Sequence, residues 1–159
     1  MNLSSLFRLV LTVGGTFLAA AGGSLITAPN IESWYELINK PSWTPPSFLF
    51  GPVWSILYLF MAIAAFLVWQ KGCHRKLVQV GLTIYALQLG LNFLWSVLFF
   101  GFHALGFASA EILILLAFII GTIVVFWHSS KTAALLLVPY ALWVSFASAL
   151  TIAIWQLNP

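Results

Sequence analysis

The chain has 159 residues, of which 62% are hydrophobic and only 6% charged, with six Lys/Arg against three Asp/Glu and a mean hydropathy of +1.06. Water-soluble domains carry about 25% charged residues, so this composition excludes an ordinary soluble enzyme, a disordered chain and a nucleic-acid binder. It predicts one integral membrane domain over residues 1–159. The net charge of +3 is dispersed, a pattern that orients membrane proteins rather than one that forms an anion-binding patch. A single cysteine, Cys73, excludes an intrachain disulfide and a Cys-rich metal site.

Charges and prolines divide the sequence into five apolar stretches at 7–28, 47–70, 77–101, 106–127 and 132–157. Each is close to the roughly 20 residues that cross a bilayer as helix. Buried backbone in lipid must be satisfied within the segment, and these runs are too long and lack the period of two for barrel strands. The expected fold is therefore all-α, a bundle of five transmembrane helices. Arg8 ahead of an apolar run containing Ala19-Ala20-Ala21 has the outline of a signal peptide, but the run of about 20 residues exceeds a signal's apolar core, so the helix is expected to be retained.

The first connection, Pro29 to Pro46, has internal order. Ile31, Trp34, Tyr35 and Ile38 fall at i, i+3, i+4 and i+7, which predicts a short amphipathic helix of about two turns. Asn30 is the expected N-cap, Glu32 and Glu36 suit the positive N-terminal half, and Lys40-Pro41 should end it. The other connections, 71–76, 102–105 and 128–131, are short, so the helices they join are antiparallel neighbours. Five spans put Arg8, Lys71, Arg75, Lys76 and Lys131 on one side and only Lys40 on the other. In a bacterial inner membrane this predicts a cytoplasmic N-terminus.

The eight tryptophans are the strongest single-residue signal. Trp34, Trp43 and Trp69 fall near predicted interfaces, where amphipathic aromatics anchor helices. Trp54, Trp95 and Trp143 lie deeper and are suited either to packing or to the walls of a cavity for a flat apolar ligand. On the third helix Tyr85, Gln88, Asn92 and Trp95 share one face, and polar side chains at membrane depth turn toward the bundle interior. Glu111 is the only acidic residue within a span and has no basic partner in any span, which argues against a proton relay or an ion-coupled pump. Small residues recur every four positions at Gly15, Ala19 and Gly23, at Ala86 and Gly90, and at Ala141, Ser145, Ala149 and Ala153, allowing close helix approach. Pro139 removes a backbone bond four residues before Trp143, which predicts a kink. His74, His103 and His128 are scattered, so no metal site is expected. Hydrolase, ATPase and dehydrogenase motifs are absent from the sequence.

Several stretches together resemble one family. Trp34-Tyr35, Leu37, Lys40-Pro41-Ser42-Trp43-Thr44-Pro45-Pro46, Pro52-Val53-Trp54 and Leu57-Tyr58 are similar to the first-loop and second-helix signature of the tryptophan-rich sensory protein/translocator protein (TspO/MBR) family. Leu91-Asn92, Trp95 and Phe99-Phe100-Gly101 resemble its third helix, and Pro139-Tyr140, Leu142-Trp143 and Phe146-Ala147 its fifth. The resemblance implies a membrane bundle, often a homodimer, that binds porphyrin, haem-related tetrapyrroles or other planar hydrophobic molecules between the helices beneath the first loop. It needs no further cofactor. The matching pocket positions are Tyr35, Trp54, Tyr58, Asn92, Trp95, Trp143 and Ala147. Two alternative activities are also implied: light-dependent porphyrin degradation, connected with Trp54 and Trp143, and passive transport of tetrapyrroles or sterols. The end of helix 5, Leu150 to Asn158, lacks the Tyr and the basic residue of the family's sterol motif. A bacterial-type, porphyrin-binding member is therefore expected.

Overall fold

A computed structural model describes residues 3–159. Its five long helices are α1 (Leu3–Asn30), α2 (Phe50–Trp69), α3 (Lys76–Ser96), α4 (Leu105–Ser129) and α5 (Lys131–Leu157), and no strand occurs among the described residues. With the turns that extend them, all five are long and apolar enough to span a bilayer, so the chain is a multi-pass membrane protein. The order around the bundle is α1, α2, α5, α4, α3 and back to α1, with α2 also touching α3 across the middle.

The core is largely apolar, but the bundle also buries polar side chains and leaves large apolar ones outside. Gln88 is 1% exposed and Asn92 3%, whereas Leu18 is 76% and Leu25 78% exposed. Hydrocarbon solvates the leucines, so burying them gains little, while the Asn92 amide finds its hydrogen-bond partners inside the bundle. Most buried hydroxyls of α4 and α5 are satisfied within their own helix: Ser109 donates to Leu105 O at 2.8 Å, Thr122 to Phe118 O at 2.8 Å and Ser148 to Val144 O at 2.7 Å. On α1 the described buried residues are Thr12, Thr16 and Gly23. The Thr16 hydroxyl meets Tyr85 OH at 2.7 Å, tying α1 to α3.

At the end carrying the α1 N-terminus and the 71–76 turn, Arg8 Nη1 donates to Trp69 O at 3.3 Å, placing a cation at the negative end of α2. The Gln70 amide donates there to the Ser5 hydroxyl. Ser130, in extended conformation, accepts from Ala133 N and caps α5, which then runs through Pro139 without interruption.

The first connection differs from the reading of its sequence. No separate helix starts at an Asn30 cap: α1 continues through Pro29 and passes directly into a wider π turn over Ile31–Tyr35. Pro29 removes one N–H from the ladder, and two side chains bond to carbonyls around the change of register. Asn30 Nδ2 donates back to Ile26 O at 2.8 Å instead of capping forward, and Ser33 Oγ donates to Pro29 O at 2.7 Å. Lys40 closes the C-terminal end by donating Nζ to Tyr35 O at 2.5 Å and Glu36 O at 3.1 Å.

A second π turn, Val97–Gly101, extends α3. It ends at His103, whose φ of 55° is left-handed, and Ala104 N closes the end by bonding Leu98 O at 2.9 Å. The His103 ring is stacked on Trp34 at 4.1 Å and 13°. Trp34 also meets Phe99 edge-on at 5.5 Å, so this tryptophan packs against the bundle as well as standing near its end. The loop is held to the other side of the bundle by Asn39 and Asn158. Asn39 N donates to Asn158 Oδ1 at 3.0 Å, and Asn158 Nδ2 donates to Asn39 O at 2.9 Å.

Candidate functional site

Beneath this loop lies a cavity of about 400 Å³, within the usual range for small-molecule sites. Its roof is Tyr35, which ends the α1 extension with its ring 6.4 Å from that of Phe50. The α2 wall carries Trp54 and Tyr58, one helical turn apart, with ring centroids 5.4 Å apart and planes 31° apart. On α3, Asn92, Trp95 and Phe99 follow at helical spacing, and Trp95 stacks on Phe99 at 5.0 Å and 20°. The α5 wall is Trp143, Ala147, Leu150, Thr151 and Ile154. Trp143 sits edge-on to Phe50 at 6.1 Å, which links the roof to the side wall.

All seven positions matched in the sequence, Tyr35, Trp54, Tyr58, Asn92, Trp95, Trp143 and Ala147, lie on this one cavity. Phe50, Phe99 and Leu150 belong to it as well, as does a wall of small residues on α1 that includes Ala20, Gly23, Ser24 and Thr27. Apolarity alone does not distinguish these positions from lipid-facing ones, so they were not legible as lining residues. The α1 wall carried one signal, the small residue at Gly23 in the four-residue repeat.

The floor is a three-helix polar junction. Tyr58 OH on α2 donates to Asn92 Oδ1 at 2.5 Å, and Asn92 Nδ2 donates to Tyr140 OH on α5 at 3.1 Å. One amide thus joins α2, α3 and α5 and fixes the two tyrosine rings. Trp54 packs against the same tyrosines, 6.1 Å from Tyr140. The indole nitrogens of Trp95 and Trp143 are buried and make no hydrogen bond within the protein. Gln88 and Glu111 are buried too, with unpartnered side-chain atoms, but neither lines the cavity.

The chemistry available is correspondingly narrow. The lining holds hydroxyls, one amide and aromatic faces, with no Asp, Glu, Lys, Arg, His or Cys. Among the described residues no group of three His, Cys, Asp or Glu is placed to hold a metal ion. Such a site can stack, enclose and orient a flat molecule, and its lining places no Asp, Glu, Lys, His or Cys beside the hydroxyls.

Comparison with known proteins agrees with this architecture. A model of the TspO/MBR family matches residues 9–156. The chain is 41% identical over 154 residues to the tryptophan-rich protein TspO of Archaeoglobus fulgidus, covering 97% of this chain and 99% of that one. It is 43% identical over 155 residues to the tryptophan-rich protein TspO of Chlorobaculum tepidum, covering 97% and 98%. The translocator protein of Bos taurus is 36% identical over 150 residues, covering 92% and 89%. With sequence signature, helix count and family model in agreement over almost the whole length, the chain belongs to the TspO/MBR family.

Proposed function

We propose that the protein is a membrane receptor or sensor that binds a porphyrin or related planar tetrapyrrole in the cavity beneath the first loop. The observation that carries this reading is the convergence of seven positions, from the loop and three helices, on one uncharged aromatic enclosure. Stacking on an aromatic face contributes about 1–3 kcal/mol per contact in other systems, so a few faces suffice for tight binding. The tetrapyrrole is the ligand, not a resident cofactor. The reading includes a homodimer and, in a bacterial inner membrane, a cytoplasmic N-terminus, since Arg8, Lys71, Arg75, Lys76 and Lys131 share one end.

The test is a titration of protoporphyrin IX into purified protein, followed by tryptophan fluorescence. Saturable quenching, weakened in Trp143→Phe, is expected. Absence of saturation, or unchanged affinity in the variant, overturns the assignment.

A second reading, light-dependent porphyrin breakdown, is favoured by one feature: Trp54 packs on two tyrosines whose hydroxyls are fixed by Asn92. That arrangement places oxidisable rings side by side next to the cavity. The ligand would supply the photochemistry and the protein the positioning. Identical products on illumination of wild type and a Trp54→Phe/Trp143→Phe variant would refute it.

A further inference from the structure

The cavity is closed unequally on its different sides. Toward α3, α1 is packed closely: a Cβ at Gly22 would stand 3.1 Å from the Phe93 ring, and one at Gly23 3.2 Å from the Ser96 hydroxyl. At the loop end, Trp43 lies edge-on to Phe146 at 5.8 Å and the Asn39–Asn158 clasp holds the loop down.

Toward α2 the arrangement is different. On that side the cavity is bordered by Ala21, Ser24 and Ala28 on α1, by Ser47, just ahead of α2, and by Gly51 and Ser55 on α2. All six line the cavity, and all six are solvent-exposed. The same residues therefore form the inner wall and the outer rim. Small side chains at such spacing ordinarily let two helices close up, yet a Cβ added at Gly51 would meet nothing within 4 Å. Polar ties between α1 and α2 are found at the opposite end of the pair, at Arg8 with Trp69 and Ser5 with Gln70. The pair is pinned at one end and open at the other.

We propose that this seam is a lateral portal through which the ligand passes between the bilayer and the cavity, without crossing the first loop. This rests on the tetrapyrrole reading above. A planar apolar molecule partitions into lipid, so a side opening at membrane depth meets it where it is concentrated. The hydroxyls of Ser24, Ser47 and Ser55 give the rim polar groups at the loop-side end of the bundle, suited to the carboxylate edge of a porphyrin while its apolar face slides past the alanines and the glycine.

Stopped-flow tryptophan quenching with protoporphyrin IX, on protein in lipid nanodiscs, tests the route. Ala28→Phe on α1 and, separately, Gly51→Phe on α2 narrow the opening from opposite sides, so failure of one to fold leaves the other. The association and dissociation rates are expected to fall together, by about tenfold, because a narrowed path slows entry and exit alike. Asn158→Ala, which frees the loop, should leave both rates unchanged. Wild-type rates in the two seam variants, or faster exchange in Asn158→Ala, would overturn the portal while leaving the cavity intact. Absence of saturable binding in the wild type would overturn the cavity reading and the portal with it.

Discussion

Removing the Asn92 side chain gives a direct measure of the junction beneath the cavity. Its amide accepts from Tyr58 at 2.5 Å and donates to Tyr140 at 3.1 Å, and all three residues are buried. Interhelical hydrogen bonds in membrane proteins average about 0.6 kcal/mol and reach about 1.7 kcal/mol, so the loss of two in Asn92→Ala should cost roughly 1–3 kcal/mol. Both tyrosine hydroxyls then lose their Asn92 partner, which favours the upper part of that range. Near 160 residues each kcal/mol corresponds to about 2–4 °C in Tm. Thermal unfolding in detergent, followed by circular dichroism, should therefore show a drop of several degrees. The triple variant Asn92→Leu/Tyr58→Phe/Tyr140→Phe removes every partner at once and fills similar volume, so it should recover most of the loss. An unchanged Tm in Asn92→Ala, or a triple variant less stable than the single one, would refute the argument that the junction is held by mutual satisfaction.

Other consequences can be checked independently. Gly81→Leu drives a side chain into the Phe126 ring, where a Cβ would already lie 3.1 Å away; overpacking of this kind costs about 1–3 kcal/mol, visible in the same unfolding assay. Gly14→Leu, where a Cβ meets nothing within 4 Å, should leave stability unchanged. Asn158→Ala removes the clasp on the first loop and should raise amide hydrogen exchange in residues 39–44 without altering exchange in α4. Trp54→Ala should weaken porphyrin binding by about 1–3 kcal/mol, read from the quenching titration, through loss of one stacking face.

The five helices were legible because apolar runs of spanning length leave the backbone no alternative to helix, and charges and prolines mark their ends. Expected and observed helix ends differ by five residues at most, the largest difference being at the end of α3, where the π turn Val97–Gly101 takes over. The misread element is the start of the first loop. Pro29 and Asn30 look like a break and a cap, whereas α1 absorbs the proline and continues in a π turn. Side-chain bonds from Asn30 to Ile26 O and from Ser33 to Pro29 O accompany that change, and a sequence does not reveal them.

The aromatic set was legible from depth and helical spacing, as was the inward stripe of Tyr85, Gln88 and Asn92, all of which are buried. The partners of Asn92 were not, because its two bonds span 34 and 48 residues of chain and depend on how three helices meet. The α1 wall escaped for another reason. Small residues on α1 serve close packing at Gly23 and border the cavity at Ser24 and Ala28. Only the positions of the facing helices distinguish those two uses.

The most direct test of the central claim is the structure of the protein with protoporphyrin IX bound. The macrocycle is expected beneath the first loop, against the rings of Trp54, Trp95 and Trp143 and above the Asn92 junction. A porphyrin seated on the outer helix surface, with the cavity unchanged, would contradict it.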